Sequence, residues 1–252
     1  MTRILILRTG STSPSVQALH GDFDRWFTDA MSGWQARFEV RDLVRGDQPE
    51  PGGHHGIIVT GSTSSAYVEE PWTAPLVAFL RRCESSGVPL LGVCYGSQIL
   101  AHARDGRVIL NPEGWEIGAV SIELTAAGQD DPLMAGLPRR FTSLATHEDR
   151  IEALPPGAVL LAGNANSPIQ AFRAARSIWG VQFHPELSPG PLGILIRERS
   201  DKLERDAVAH GRDAAGHVAR LLSSLDGPEV MQGRRVLDNF VALCGGVRTP
   251  GR

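Results

Sequence analysis

The sequence predicts an α/β fold built on a doubly wound, mostly parallel sheet. The run ILIL at 4–7 is apolar throughout, which is typical of a parallel strand covered on both faces. Such runs alternate with segments of helical apolar spacing. This order places helices on both faces of the sheet and leaves turns at the carboxyl ends of its strands, where the sites of such folds form.

The first half of the chain is assigned element by element. Four strands are predicted, at 4–7, 38–43, 56–62 and 90–93. Apolar spacing from Val16 to Met31 predicts one helix between the first two strands. A second helix is predicted over 73–86, with Thr73 as its N-cap and Gly87 just past its end.

The pattern changes at about residue 107. Short strand-like runs separated by Gly and Pro turns predict antiparallel strands added to the sheet, at 120–124, 159–162, 169–173 and 177–183. The tail becomes helical, with helices predicted over 201–225 and 234–244 after a hinge at 188–193. We therefore expect one flavodoxin-like domain over 1–190 and a helical extension over 191–252 packed on it.

Composition limits the classes of partner and compartment. The chain has 252 residues, 42% hydrophobic and 21% charged residues and a net charge of −3, which is ordinary for a globular protein and provides no basic field for nucleic acid. No run reaches membrane-spanning length. Three cysteines do not form a disulfide framework and are typical of a reducing cytoplasm, so we expect a cytoplasmic protein without nucleic-acid or membrane partners.

The segment LLGVCYGSQILAH at 90–102 is the most informative part of the chain. It reads as a strand, a sharp turn with Cys94 at its tip, and a helix. Glycines at 92 and 96 permit a tight turn and close approach of neighbouring elements. A thiol at a helix N-terminus is favoured as a thiolate, so Cys94 is a candidate nucleophile in the manner of the nucleophile elbow of hydrolases.

A nucleophilic cysteine needs a base, and GVQFHPE at 180–186 supplies one. In extended chain, His184 and Glu186 point to the same side, so Glu186 can orient the imidazole of His184. The N–H of Tyr95 and an N–H of the Gly61-Ser62 turn are the candidate donors of an oxyanion hole. Each motif taken alone is commonly structural, and the ordered combination carries the prediction.

The other candidate groups receive structural interpretations. Cys83 falls in the middle of a helix and Cys244 in the tail helix. The remaining histidines show no metal-ligand spacing, and no phosphate-binding motif occurs, so neither a metal nor a cofactor is predicted.

Three motifs in this order resemble those of class I, or triad, glutamine amidotransferases: GVCYGSQ at 92–98, GVQFHPE at 180–186 and IIVTGSTSS at 57–65. The resemblance covers roughly residues 1–187 and is strongest to the glutaminase domain of GMP synthetase and to stand-alone relatives of that domain. It implies a Cys94–His184–Glu186 triad and a glutamyl thioester. It further implies that Gln98 and a loop containing Thr146, His147 and Glu148 line the substrate pocket.

The chain departs from the family pattern at three positions. Ser62 stands where the oxyanion turn often has a second glycine, and a backbone donor survives this change if φ stays negative. Ser97 replaces a larger residue before the glutamine, which predicts an enlarged or more hydrated pocket. Asp105 stands where relatives often have glycine.

Three functions stay open at this point. The first is a glutaminase that supplies ammonia to a separate synthase. The second is a self-contained hydrolase of γ-glutamyl peptides or conjugates, whose tail covers the site or forms a homodimer. The third is a non-catalytic regulatory protein on the same fold, which the intact triad disfavours. In the first two, glutamine or a γ-glutamyl small molecule is the ligand.

Overall fold

A nine-stranded sheet forms the centre of the molecule, which a computed structural model describes over residues 1–249. The strands are β1 (Thr2–Arg8), β2 (Ala36–Asp42), β3 (Gly56–Val59), β4 (Leu90–Val93), β5 (Arg107–Leu110), β6 (Glu116–Leu124), β7 (Arg140–His147), β8 (Asp149–Ala153), β9 (Val159–Gly163), β10 (Ala171–Ala175) and β11 (Ile178–Val181). All except β5 and β8 belong to the large sheet, in the order β2-β1-β3-β4-β11-β10-β9-β6-β7. Strands β5 and β8 pair separately.

Helices cover the sheet and close the chain. They are α1 (Pro14–His20), α2 (Phe23–Ala30), α3 (Thr73–Ser86), α4 (Tyr95–His102), α5 (Ala126–Gln129), α6 (Pro189–Glu198), α7 (Ser200–Ala209), α8 (His217–Ser223) and α9 (Arg235–Leu243). Short 3₁₀ helices lie at Leu43–Arg45, Pro132–Met134 and Pro228–Arg234. Within residues 1–249, no helix has both the length and the apolar character that crossing a membrane requires.

The parallel half of the sheet confirms the predicted fold class. Strands β2, β1, β3, β4 and β11 are all parallel, and their spatial order is that of the flavodoxin-like doubly wound sheet. The expectation that 177–183 adds an antiparallel strand was correct for the neighbour β10 and wrong for the neighbour β4. Strand β11 is parallel to β4 and antiparallel to β10, so it joins the two halves of the sheet. Its four buried residues are typical of a strand inside a parallel sheet.

Three strands were not predicted by the sequence analysis. Strand β7 pairs along its whole length with β6 in the antiparallel half, and β5 and β8 pair with each other. Phe141, Ser143 and Ala145 alternate as buried positions of β7. A serine in a buried position hides the alternation from a reading based on hydrophobicity.

Glycines divide two of the predicted helices. The helix expected from Val16 to Met31 is interrupted at Gly21, which has φ of 71°, and α2 restarts with Asp22 accepting a hydrogen bond from the N–H of Phe23. The helix expected over 201–225 separates into α7 and α8, because Gly211 and Gly216 take φ of 67° and 66°. These conformations are open to glycine and end an α-helix.

Other predicted boundaries were nearly correct. Gly87 ends α3 in the left-handed conformation, as expected, but Thr73 is the first helical residue and Trp72 is the N-cap. The segment 188–193 is the first turn of α6 rather than a hinge, since a proline occupies its first turn.

The C-terminal helix packs into the main core. The side chains of Val236, Leu237, Phe240 and Val241 are fully buried in one cluster with Ile4 and other residues of the sheet. Helices α6 to α8 contribute to a second cluster near the carboxyl ends of the strands. The division of the chain at residue 190 stays a prediction.

Candidate active site

Cys94 lies in the sharp turn between β4 and α4. Its backbone takes φ of 52° and ψ of −109°, a conformation that a residue with a side chain rarely adopts. A hydrogen bond of 2.8 Å from the N–H of Cys94 to the carbonyl of Val181 holds the turn against β11. The sharp turn with Cys94 at its tip, predicted from the sequence, is therefore present and places the thiol where the parallel strands end. The role of Cys94 as nucleophile stays a prediction.

Two glycines are required around this turn. A β-carbon on Gly96 would lie 2.3 Å from the carbonyl oxygen of Val59, and one on Gly92 would lie 2.4 Å from the oxygen of Gly96. Both obstacles are backbone atoms, which have little freedom to move. Strand β3, strand β4 and helix α4 can approach this closely only because neither residue has a side chain.

His184 follows β11, contacts its predicted partner Glu186 and lies near the other, Cys94. Its Nδ1 atom lies 2.7 Å from Oε1 of Glu186, and its own N–H donates to the carbonyl of Leu144 at 2.8 Å. Its Nε2 atom is buried and has no completed hydrogen bond within residues 1–249. Gly61 marks the meeting point, because a β-carbon there would lie 3.2 Å from Cε1 of His184 and 3.7 Å from Cβ of Cys94.

The electrostatics of the site favour an imidazolium. Burial lowers the pKa of His184, but the charge of Glu186, the nearby Cys94 and the hydrogen bond to Glu186 raise it by more, so the pKa of His184 lies well above the ordinary histidine value. A protonated His184 next to Glu186 and close to Cys94 is what a cysteine nucleophile with its base requires.

The other two thiols lie in different surroundings. Burial raises the pKa of Cys83 in α3 to about 12, and burial raises that of Cys244 after α9 to about 12. Both stay protonated near neutral pH and are shielded from solvent, which agrees with the structural roles predicted for them. Only Cys94 combines a cavity with a histidine partner.

A cavity of about 230 Å³ opens in front of Cys94. Part of its lining, which we call the strand-end wall, consists of Gly61, Ser62, Cys94 and Gln98. Another part, which we call the aromatic wall, comes from one buried cluster and consists of Phe23, Trp26, Trp115, Leu187 and Leu195. Arg199 also lines the cavity.

The predicted oxyanion donors lie on the strand-end wall. The N–H groups of Tyr95 and Ser62 have no acceptor among the described residues. The side chain of Ser62 stabilises its own turn, since its Oγ accepts a hydrogen bond from the N–H of Ser64 at 3.1 Å. The use of the Tyr95 and Ser62 N–H groups as an oxyanion hole stays a prediction.

Gln98 lines the cavity from α4, but its amide nitrogen is already engaged. It donates to the carbonyl of Asp149 at 3.0 Å and to Oε1 of Gln182 at 3.1 Å. Only the amide oxygen of Gln98 is available as an acceptor for a ligand. The assignment of Gln98 to substrate binding stays a prediction, and it is limited to accepting a hydrogen bond through the amide oxygen.

The expected loop of Thr146, His147 and Glu148 is instead the end of β7 and the turn after it. The Thr146 carbonyl lies 4.0 Å from the Cys94 sulfur. His147 is 5% exposed, with Nδ1 2.8 Å from the carbonyl of Asp149. Glu148 binds Lys202 at 2.7 Å. All three residues line the cavity, and their contact with substrate stays a prediction.

His147 is held by a buried carboxylate that the sequence analysis did not single out. Its Nε2 atom lies 2.9 Å from Oε2 of Glu116, whose other oxygen accepts from Asn164 at 2.6 Å. Burial raises the pKa of Glu116, but its contacts with His147, Asn164 and Ser167 lower that pKa by more. The net pKa of Glu116 is therefore below the ordinary value. This network fixes the His147 ring from behind the cavity.

The departures at Ser97 and Asp105 have local explanations. Ser97 is fully buried, and its hydroxyl donates to the carbonyl of Cys94 at 2.7 Å. This hydrogen bond supports the turn, and Ser97 is not among the residues that line the cavity, so the expected enlargement or hydration of the pocket stays a prediction. Asp105 takes a left-handed φ of 66° in the turn after α4, a conformation that aspartate tolerates better than most residues.

The aromatic wall and Arg199 were not predicted as site residues. The sequence analysis covered Phe23 only within the apolar stripe of a predicted helix and gave Trp115 no role. Their convergence needs the fold, because α2, the turn before β6 and α6 are distant in sequence. Within residues 1–249, no group of three or more His, Cys, Asp and Glu side chains is placed to hold a metal ion.

An α/β sheet with a cysteine in a sharp strand-to-helix turn, and with a histidine and a glutamate close to it, matches the arrangement of hydrolases that have a nucleophile elbow. The family model "Glutamine amidotransferase class-I" matches residues 37–200, and the chain belongs to this family.

Two curated relatives illustrate the range of the family. The chain is 44% identical over 141 residues to a GMP synthase (glutamine-hydrolyzing) of Thermomicrobium roseum, which is 56% of this chain and 25% of that protein. It is 30% identical over 178 residues to a gamma-glutamyl-L-1-hydroxyisopropylamide hydrolase of a Pseudomonas species, covering 68% of this chain and 60% of that protein. The chain thus spans a quarter of the first relative and three fifths of the second.

Solved structures show the same fold. A glutamine amidotransferase of Thermotoga maritima superposes with a TM-score of 0.75 at 20% identity, covering 96% of this chain and 98% of that one. A glutamine amidotransferase of Methylobacillus flagellatus superposes with a TM-score of 0.74 at 22% identity, covering 100% and 96%.

Proposed function

We propose that this chain is an amidohydrolase that cleaves the γ-amide of glutamine or of a γ-glutamyl compound through a thioester on Cys94. The placement of His184 carries the proposal. It lies between Cys94 and Glu186, with 2.7 Å from Nδ1 to the Glu186 carboxylate and an unengaged Nε2. This is the arrangement of a nucleophile, a base and an orienting acid.

In the first half of the reaction, the Cys94 thiolate attacks the γ-carbonyl carbon. The carbonyl oxygen becomes an oxyanion, which the N–H groups of Tyr95 and Ser62 stabilise. His184 gives its Nε2 proton to the nitrogen of the leaving amine, the C–N bond breaks, and a glutamyl thioester forms. Glu186 stabilises the imidazolium and fixes the ring orientation.

In the second half, water attacks the thioester carbon while His184 takes its proton. The C–S bond breaks, glutamate leaves, and Cys94 returns as a thiolate beside a protonated His184. The open Nε2 of His184 agrees with this cycle, since catalytic hydrogen bonds in a free enzyme are often completed only with substrate.

The substrate's amino-acid end is assigned to the side of Gln98, with the backbone at Thr146 and the side chains of His147 and Glu148 close to the same space. Gln98 contributes its amide oxygen. His147 acts through its position, because both ring nitrogens already face protein acceptors.

The second candidate is an ammonia-donating glutaminase subunit that passes ammonia to a synthase partner, as the GMP synthase relative suggests. The aromatic wall favours the self-contained γ-glutamyl hydrolase, because a cavity that releases only ammonia does not need an apolar lining. The Pseudomonas relative is named as a hydrolase of a γ-glutamyl amide, which agrees with this choice. A purely regulatory role is disfavoured by the assembled triad.

We place the protein in a reducing compartment such as the cytoplasm, because all three of its cysteines are free thiols.

The test is glutamate release by the purified chain from glutamine and from a γ-glutamyl dipeptide in parallel, with Cys94→Ser as the control. Turnover that depends on Cys94 supports the proposal, and faster turnover of the dipeptide selects the self-contained hydrolase. Glutamate release that persists unchanged in Cys94→Ser would overturn it.

A further inference from the structure

The residues Thr146, His147 and Glu148, which we call the β7 turn, are held in place from two directions. All three line the cavity, and the Thr146 carbonyl lies 4.0 Å from the Cys94 sulfur. Successive side chains of an extended segment point to opposite sides. His147 faces Glu116, with 2.9 Å between Nε2 and Oε2, whereas the side chains of Thr146 and Glu148 contact the helical tail.

Two basic residues at the start of α7 make the contacts from the tail. Nη1 of Arg199 donates to Oγ1 of Thr146 at 3.2 Å, and Nζ of Lys202 donates to Oε1 of Glu148 at 2.7 Å. Arg199 is the N-cap residue of α7 and Lys202 lies three positions further along, so both side chains leave the helix on one face. Each of them therefore binds one side chain of the β7 turn.

The indole of Trp115 orders both basic side chains. The Arg199 guanidinium carbon lies 5.2 Å and the Lys202 Nζ atom 4.6 Å from the centroid of the Trp115 ring. The quadrupole of an aromatic ring attracts a cation placed over its face. Fixing a long side chain costs conformational entropy, and contact with a common ring reduces the freedom of the two cations before they bind the β7 turn.

The segment that carries the triad histidine also carries Arg199. The N–H of His184 donates to the carbonyl of Leu144 at 2.8 Å, which attaches β7 two residues before Thr146. Helix α6 then leads from Pro189 to Glu198, and Arg199 reaches back to the same strand at Thr146. Residues 184–199 thus attach β7 at two points and set the position of the β7 turn relative to the triad.

We propose that Arg199 and Lys202 are positioning residues that hold the β7 turn where it binds the glutamyl half of the substrate. The inference rests on the proposed function, which assigns the amino-acid end of the substrate to this turn. Glutamine and all γ-glutamyl compounds share the glutamyl half. Loss of a contact from the tail therefore weakens binding of all these substrates by the same factor, and the reactivity of the Cys94 thiol stays as it is.

The first measurement compares KM and kcat of the wild type and Arg199→Met on glutamine and on γ-glutamyl-leucine. We expect KM to rise about five- to thirtyfold on both substrates, because a hydrogen bond from a charged donor is lost. A contact that acts equally in the ground state and the transition state changes KM, so kcat should stay within about threefold. Lys202→Met should raise KM only about two- to fivefold, because its ion pair with Glu148 is exposed.

The second measurement separates a displaced β7 turn from a damaged triad. Diazo-oxo-norleucine carries the amino-acid end of glutamine, whereas iodoacetamide does not. In Arg199→Met we expect Cys94 to react more slowly with the first reagent, by about the same factor as the rise in KM, and at the wild-type rate with the second. Equal slowing with both reagents would assign Arg199 a role in thiol reactivity and overturn the inference.

A double-mutant cycle tests whether Arg199 acts through Thr146. Thr146→Val keeps the shape of the side chain and removes the hydroxyl that accepts from Arg199. We expect Thr146→Val to raise KM, Thr146→Ser to recover part of that loss, and the double variant Arg199→Met/Thr146→Val to be no worse than Arg199→Met alone. Effects of the two substitutions that multiply independently would overturn the inference.

Thr142→Val and Arg205→Met are the matched controls. Thr142 belongs to β7 and Arg205 is an exposed residue of α7, neither is among the residues that line the cavity, and both variants should keep the wild-type KM. An unchanged KM and an unchanged rate of diazo-oxo-norleucine labelling in Arg199→Met, beside an active wild type, would overturn the inference alone. A wild type with neither Cys94-dependent turnover nor labelling of Cys94 would overturn the proposed function together with it.

Discussion

The two walls of the cavity keep their shape by different means. The strand-end wall is fixed by backbone contacts, with a strained Cys94 and with Gly92 and Gly96 pressed against neighbouring carbonyls. The aromatic wall is fixed by side chains from separate elements that pack against one another. We therefore expect substitutions in the first wall to cost more than substitutions in the second, because backbone atoms have less freedom to move than side chains. Under the proposed function, chemistry belongs to the first wall and selectivity to the second.

The largest expected effect in this comparison comes from substituting Cys94, the proposed nucleophile. Replacing Cys94 by serine keeps the shape of the elbow but removes the thiolate, so we expect glutamate release to fall by on the order of 10⁴-fold or more. The thermal midpoint should change little. A glutamine-like electrophile, diazo-oxo-norleucine, should label Cys94 alone in the wild type, as mass spectrometry of peptides would show. Equal labelling of Cys83 and Cys244 would contradict the difference in environment among the three thiols.

The orienting acid should give the next largest effect. Glu186→Gln preserves the volume but removes the charge 2.7 Å from His184, and we expect kcat to fall by about 10² to 10⁴-fold. Since Glu186 raises the pKa of His184, its loss lowers that pKa. His184 must be protonated to release the amine, so the alkaline limb of kcat/KM against pH should move to lower pH in the variant.

The same pKa shift has a consequence for stability. A histidine whose pKa is raised in the folded state stabilises it fully below the unfolded value and loses that contribution as pH rises through the folded value. The difference in unfolding free energy between wild type and Glu186→Gln should therefore shrink on raising pH through the alkaline range. A variant with an unmoved alkaline limb and the wild-type pH dependence of stability would remove Glu186 from its assigned role.

The glycines test the rigidity of the strand-end wall. In Gly96→Ala the new β-carbon would lie 2.3 Å from the carbonyl oxygen of Val59, and we expect a loss of about 2–3 kcal/mol in the free energy of unfolding. Gly52→Ala is the control, because its φ is not positive and a β-carbon added there would have no neighbouring atom within 4 Å. Urea unfolding followed by circular dichroism measures both. A Gly96→Ala protein as stable as Gly52→Ala would mean that the close packing is not required.

The sequence predicted the strand-end wall far better than the aromatic wall. Strand ends, glycines and the order of Cys94, His184 and Glu186 are local patterns, and a parallel sheet brings strand ends together at one edge. Trp115 and Arg199 carry no local signal, since their meeting depends on where α6 and α7 pack. Strand β7 was missed because Ser143 occupies a core position, and two helices were predicted too long because Gly21 and Gly211 were not assigned their left-handed conformations.

The smallest expected effect concerns the aromatic wall itself. In Phe23→Leu a smaller apolar side chain replaces the ring that meets Trp26 at 5.2 Å. In the proposed self-contained hydrolase the leucine side chain of γ-glutamyl-leucine packs on this wall, so we expect KM for that substrate to rise about three- to tenfold, while kcat/KM for glutamine stays within about twofold of the wild type. Steady-state kinetics on both substrates measures the split. If Phe23→Leu instead lowers turnover of both substrates equally, the aromatic wall supports the catalytic geometry, and the separation between chemistry on one wall and selectivity on the other fails.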